Sequence, residues 1–491
     1  MSRSLWTTLT LSTLFIFLLG ALLGLTDQEA YYWLWSRKLD LCYLEHPGLQ
    51  AWTTRLLTEI FGDSSWVIRF PASVLGRIAG LYFIFRWAEL RFNRAVAEAL
   101  VFCLLGSFFV TATGLIALPD AWLFPFFGLL LWDCERKNFL KAGLWLGLCA
   151  LSKWTAVFFI PGLIGAIFCQ PDQNLKTKLK ATLGAGFIAL SLQFPTLYWN
   201  LLHDFASFRF HLIDRHPNFS WEFFRTLQNL FAFMGSQVIL GGLSFFVLIV
   251  LFFTRKKGKE FTASSPLIFW IAPAFLIVGF SATRGELRFY WTAPALIPLF
   301  ATMINKIYLG TANPTRFLNV FRNVGIATTT LNLILTGWIL LTPFGEMFRP
   351  FIEKNRSYDM RFSPRGDIEG WREIVAYLKE KGIDAQSKDY FLAGSNFRIS
   401  SQIAWATSSQ DVGKVTVGGQ SLHQLHFWEN ERRAFPATAG LMFSDNRYRD
   451  KHLLQQSCEH LLNWETFDYK LQGKTIKTID WAECKKFIRS T

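Results

Sequence analysis

The sequence predicts a mostly α-helical, polytopic membrane protein with a small soluble α/β domain at its C-terminal end. Three observations carry this. Hydrophobic residues make up 51% of the 491 and charged residues only 18%, where a soluble domain runs nearer a quarter charged. Apolar runs of about 20 residues recur before residue 345, and such a run crosses ~30 Å of hydrocarbon. From about residue 345 charged and polar residues become common, and the remaining chain is long enough for one soluble domain. Soluble-enzyme, disordered, fibrous and small disulfide-scaffold classes are excluded together.

The first span covers residues 5–25, with Arg3 in front of it. It lacks a small-residue cleavage site and further spans follow, so it reads as an uncleaved anchor entering from the cytoplasm. Further spans are expected at roughly 68–88, 95–113, 119–133, 139–152, 154–169, 181–199, 230–253, 266–281, 291–308 and 323–342, about eleven in all. Lys153 interrupts the run from 139 to 169. With the N-terminus inside, the even-numbered spans exit into basic loops. These hold Arg86, Arg91 and Arg94; Arg136, Lys137 and Lys141; Lys176, Lys178 and Lys180; Arg255, Lys256, Lys257 and Lys259; then Lys306, Arg316 and Arg322. This is the positive-inside pattern. It accounts for the net charge of +14 by the inner leaflet rather than by nucleic acid. An odd span count puts the C-terminus outside.

The outer loops 26–66 and 200–228 carry acids, His and aromatics and read as amphipathic stretches lying on the membrane. In the C-terminal domain, 370–381 has Trp371, Ile374, Val375 and Leu378 on one helical face. Segments near 389–393 and 413–417 read as strands. Cys103, Cys134, Cys149 and Cys169 lie in or at the ends of spans and read as apolar packing. Cys458 and Cys484 fall in the outer domain, where an oxidising compartment permits pairing.

Charges in an apolar chain are functional candidates because burying them is costly. Here they gather on the predicted outer side: Asp27 and Glu29 after the first span, with the aromatic Tyr31 and Tyr32 beside them as substrate-binding candidates, Glu45 and His46 further on, Asp120 after Pro119, Lys153, His203, then Arg284 and Arg288. Carboxylates in a desolvated pocket act as general bases. Lys and Arg hold phosphate. Glu45 with His203 offers ligands for a divalent metal such as Zn, Mg or Mn. Blander roles exist for each: Asp27 and Asp120 as helix caps, Arg284 and Arg288 as partners of Glu286, Lys153 as a snorkelling side chain, the aromatics as an interfacial belt. No nucleotide-binding fingerprint is present.

The run Glu29-Ala30-Tyr31-Tyr32-Trp33, then Tyr43-Leu44-Glu45-His46-Pro47, resembles the opening of the bacterial membrane glycosyltransferases related to protein O-mannosyltransferases. That GT-C superfamily includes the aminoarabinose and galacturonic acid transferases that modify lipid A. Phe70-Pro71-Ala72, Pro119-Asp120-Ala121, Leu151-Ser152-Lys153-Trp154-Thr155-Ala156, Trp199-Asn200 with His203-Asp204, and Tyr290-Trp291-Thr292-Ala293-Pro294-Ala295 follow in the family's order, over roughly residues 20–300. The resemblance implies a GT-C bundle that moves a sugar, with inversion, from a polyprenyl-phosphate carrier to a lipid or glycan acceptor at the outer face. Lipid A or another lipopolysaccharide is the favoured acceptor, and a protein is the other. It also implies that a first-loop acid is the base, that the acid of the Glu45-His46 pair binds a metal or the acceptor, and that Lys153 and the late arginines neutralise the carrier phosphate. The chain departs from the family at Gln28, which stands where the family has Asp and cannot take a proton. Asp27, Glu29, Glu45 and Asp120 therefore all stay open as the base. Gly48 stands where a second Pro is usual. The competing readings are a transporter or lipid flippase, against which no internal repeat is visible, and an inactive member of the scaffold.

Overall fold

The structure is a computed structural model that describes residues 1–214, 222–254, 266–284, 289–343, 365–417 and 423–486. The chain divides into two compact units. One holds Met1–Leu18, His46–Leu49 and Arg69–Ile334; the other holds Leu19–Glu45, Gln50–Ile68 and Leu335–Thr491. The second unit thus gathers the C-terminal region with two segments of the first outer loop.

The first unit is helical. Its core is a continuous apolar cluster that includes Leu81, Leu100, Phe127, Cys149, Leu296 and Phe300. Arg77 is buried within it: Nη1 donates to the Val110 carbonyl (2.8 Å), Nη2 to Ser12 Oγ (3.1 Å) and Nε to Thr13 Oγ1 (3.2 Å). One guanidinium so ties together three helices, and each of its hydrogen bonds offsets part of the cost of burying the charge.

Among the described residues, five helices are long and apolar enough to cross a membrane: Arg3–Leu22, Ser65–Arg91, Phe223–Phe253, Phe289–Leu309 and Pro314–Leu341. The helices Arg94–Leu105 and Phe108–Leu115 are together long and apolar enough for a sixth, and they meet at a 65° bend. The expected count of eleven is not confirmed. The remaining predicted spans fall on shorter helices such as Asp120–Glu135, Phe139–Ser152 and Ile268–Thr283, which at 1.5 Å per residue reach only about 21–24 Å. The expected span 181–199 is two helices, Leu175–Ser191 and Phe194–Leu202.

The bend after Leu105 has a packing cause. A Cβ on Gly106 would meet Thr328 Oγ1 at 2.2 Å and Ser244 Oγ at 2.3 Å, so the chain passes those hydroxyls only as glycine. Gly242 interrupts Phe223–Phe253 with φ 64° and ψ −164°, a conformation closed to residues with a Cβ. Lys153 is extended (φ −155°, ψ 138°) between Phe139–Ser152 and the 3₁₀ turn Trp154–Phe159. The charge that interrupts the hydropathy therefore also interrupts the helix.

The second unit contains a five-stranded sheet of β1 (Tyr390–Gly394), β2 (Val415–Val417), β3 (Ala439–Asp445), β4 (Leu461–Leu471) and β5 (Lys474–Cys484), in the order β2-β1-β3-β5-β4. β1 is parallel to β2 and β3; β5 is antiparallel to β3 and β4. The β4–β5 turn places Gln472 and Gly473 both at positive φ, as a type I′ hairpin requires. Helix Trp371–Glu380 packs Trp371, Ile374 and Leu378 against Leu392, Leu441, Phe443 and Trp481, the face its periodicity predicts. Cys458 and Cys484 form a disulfide. Helix Asp27–Arg37 belongs to this unit. Its N-cap Thr26 accepts from the Glu29 amide, while Glu29 takes the Thr26 N–H (2.9 Å) and hydroxyl (3.0 Å), a capping box.

Candidate active site

In the first unit the sequence-predicted residues meet at helix ends. Asp120 opens helix Asp120–Glu135 and Lys153 follows helix Phe139–Ser152. Those two helices pack side by side, so the acid and the base arrive together. Lys153 Nζ lies 2.6 and 2.8 Å from the two oxygens of Asp120 and 4.9 Å from the Tyr290 ring centroid. The lysine is buried, so the pair is only weakly screened. Ser152 Oγ donates to the Pro119 carbonyl (2.5 Å), pinning the same two junctions one residue earlier.

His46 has its ring 6.5 Å from that of His211. His203 stacks on Trp199 at 4.0 Å, with Nδ1 2.8 Å from the Trp199 carbonyl. That contact makes Nδ1 the protonated nitrogen. Arg284 ends helix Ile268–Thr283 and lies over Phe280 at 4.6 Å. Arg288 falls outside the described residues.

In the second unit, Asp27 sits in the first turn of helix Asp27–Arg37 inside a cluster of charges. Arg447 Nη1 is 3.3 Å and Arg398 Nε 3.6 Å from its Oδ2. The same Arg447 nitrogen reaches both oxygens of Asp367, at 2.6 and 2.7 Å. Lys477 lies 3.4 Å from Asp445 and donates to the Gly366 carbonyl. Burial, and then the charge of Asp27, push the Asp367 carboxyl up to about 7, against the pull of Arg447 and Lys477. Burial lowers Lys477.

Tyr31 packs its ring against Trp35 (4.9 Å) and Phe397 (4.6 Å) and donates its hydroxyl to Glu45 Oε1 at 2.8 Å. Burial, reinforced by the Glu45 charge, raises this hydroxyl well above its ordinary value, so it stays a donor at any physiological pH. Tyr32 is buried beside Trp35 at 4.8 Å. Gln28 follows Asp27 in the first turn of the same helix.

A metal site does not emerge. Among the described residues no three His, Cys, Asp or Glu side chains are grouped to hold an ion.

A family model described as dolichyl-phosphate-mannose-protein mannosyltransferase matches residues 45–199. The lipid A galacturonosyltransferase RgtD of Rhizobium johnstonii is 27% identical over 393 residues, covering 76% of this chain and 78% of that one. The solved structure of ArnT from Cupriavidus metallidurans bound to undecaprenyl phosphate superposes with a TM-score of 0.61, covering 98% of both chains at 15% identity. Its apo form gives 0.60 over 97% of each, at 14% identity. The chain is a membrane glycosyltransferase of the GT-C fold. The ordered motifs in residues 20–300 thus mark a fold that runs through the C-terminal sheet as well.

Sequence reasoning about this glycosyltransferase missed Arg398, Arg447, Asp367 and Lys477 around Asp27, and Gln424 beside Tyr31. They lie more than 300 residues from the first loop, in a region whose composition reads simply as polar surface. No local periodicity distinguishes a buried arginine there from a solvated one.

Proposed function

We propose that this glycosyltransferase moves a sugar from a polyprenyl-phosphate carrier to lipid A or a related envelope lipid. The reaction takes place at the periplasmic face of a bacterial inner membrane, with the N-terminus cytoplasmic and the C-terminal region periplasmic. The relation to a lipid A galacturonosyltransferase over three-quarters of both chains carries this reading. The basic loops support the orientation.

The acceptor hydroxyl attacks the anomeric carbon, the bond to the carrier phosphate breaks, and the electron pair leaves with the polyprenyl phosphate. Attack opposite the leaving group inverts the anomeric centre. A base must take the hydroxyl proton. Of the candidate carboxylates, Glu29 is occupied as a helix cap. Asp27 faces two arginines. Asp120 has Lys153 on both oxygens. Both carboxylates are thus engaged in ion pairs. Glu45 accepts the Tyr31 hydroxyl and is the base in this reading. Lys153, oriented by Asp120, stabilises negative charge on the departing phosphate, and Arg284 and His46 are further phosphate contacts.

Purified protein in proteoliposomes, given polyprenyl-phosphate galacturonic acid and lipid A, tests the reading by mass spectrometry of the acceptor. Addition of one sugar residue to lipid A supports it. An unmodified acceptor with this donor, together with unchanged envelope lipids in a deletion strain, overturns it.

A further inference from the structure

We infer that Gln424 is a positioning residue for the Glu45 carboxylate, an inference that rests on the reading of Glu45 as the base. Gln424 begins the 3₁₀ turn Gln424–Trp428 of the C-terminal region. Its backbone N–H donates to the Tyr31 hydroxyl at 2.8 Å, and that hydroxyl donates to Glu45 Oε1 at 2.8 Å. Its side-chain Oε1 accepts the backbone N–H of Leu44 at 2.7 Å. One residue therefore holds the main chain next to Glu45 and, through Tyr31, the carboxylate itself.

The directions of these bonds follow from donor counting. A phenol has one proton and accepts through its lone pairs. With the Gln424 N–H on the accepting side, the single Tyr31 proton is left to point at Glu45. The Leu44 N–H, a donor only, fixes which end of the Gln424 amide faces it. Gln424 and Leu44 have no exposed surface and Tyr31 has 1%. Water does not readily replace a lost bond there, so each one has a larger effect than at a surface. The Tyr31 ring is wedged between Trp35 and Phe397, and Phe397 in turn packs on the His423 ring at 5.5 Å. The phenol is thus held from its ring side as well as its hydroxyl side.

Gln424 has no role on a reacting atom in this arrangement. It acts by keeping the carboxylate in one place, so its loss reduces kcat and leaves the donor KM unchanged. Misplacement of a catalytic group by ~1 Å costs on the order of a hundredfold. Removing the side-chain acceptor of the Leu44 N–H while the Gln424 backbone N–H still holds Tyr31 is expected to cost about tenfold.

The test uses full-length protein in proteoliposomes and four variants: Gln424→Leu, which keeps the bulk and removes the acceptor, Tyr31→Phe, Glu45→Gln, and Gln424→Leu combined with Glu45→Gln. The expected result is a roughly tenfold lower kcat with unchanged donor KM in Gln424→Leu, and no further loss when Gln424→Leu is added to Glu45→Gln. An equal loss in both backgrounds, or a loss confined to KM, overturns the positioning role. Should Gln424→Leu not fold, Tyr31→Phe carries the same comparison, because it removes the hydroxyl that links Gln424 to the carboxylate and keeps the ring. A dead Glu45→Gln beside a fully active Gln424→Leu overturns the role of Gln424 alone. Full activity in Glu45→Gln overturns the reading of Glu45 and the role of Gln424 with it.

Discussion

Asp120 in the helical unit and Asp27 in the mixed unit are both acids at helix starts, and each has a cationic partner. They differ in where that partner comes from. Asp120 meets Lys153 at a sequence separation of 33, across two consecutive packed helices. Asp27 meets Arg447 at a separation of 420, in a cluster of three acids and three bases drawn from five segments of chain. The first pair is a product of helix ends whose residues already stand out in an apolar sequence. The second is a product of tertiary folding. Glu45 accepts the hydroxyl of Tyr31, 14 residues away in the chain. The comparison teaches that an acid's chemistry follows from what the fold brings to it, and that position in a motif alone does not separate these three.

The sharpest way to break the comparison is at Glu45. Glu45→Gln is expected to lower turnover by about 10³-fold, in the range that loss of a general base produces, with the protein still folded. Turnover per mole of protein in proteoliposomes measures it, and an Asp27→Asn variant with the larger loss would reverse the assignment.

Next in size is the helical pair. Lys153→Met leaves the Asp120 carboxylate mostly buried and unmatched, which costs on the order of 3 kcal/mol. The double variant Lys153→Met with Asp120→Asn should recover most of that loss while donor binding stays weak. Thermal unfolding in detergent together with donor titration separates the two effects.

The disulfide comes third. Cys458 and Cys484 close a loop of sequence separation 26, for which chain entropy gives about 3 kcal/mol in the unfolded state. Cys458→Ala with Cys484→Ala is expected to lower the melting temperature of the mixed unit and to leave the helical unit's transition in place.

The smallest effect concerns pH. The Asp367 carboxyl lies at about 7 in the folded unit against 3.8 ordinarily. Between those values the folded unit holds the proton that the unfolded chain has released. Stability contributed through this group is therefore highest below about 3.8, falls as pH rises, and levels off above about 7. Asp367→Asn is expected to flatten that slope, as read from melting temperatures at pH 5 and pH 8.

Much of the fold is legible in the sequence because hydropathy is local. The apolar runs, the break at Lys153, the face of helix Trp371–Glu380 and the first two strands follow from residues that neighbour each other in the chain. Antiparallel β3, β4 and β5 were not foreseen. β4 is exposed along much of its length, and its turn carries Gln472-Gly473 rather than an Asn-Gly signal. The bend between Leu105 and Phe108 also escaped, because its cause is the approach of Ser244 and Thr328 to Gly106.

By itself the sequence determined the membrane class, the break at Lys153, and the short list of acids and bases that do not belong in an apolar protein. Burial periodicity and the cost of a charge in hydrocarbon act over a few residues, so they are written in order along the chain. Only the tertiary structure decided that Asp27 meets Arg398 and Arg447, and that Gln424 reaches Glu45 through Tyr31. Those outcomes depend on Coulomb and hydrogen-bond contacts between segments hundreds of residues apart, which no local pattern encodes.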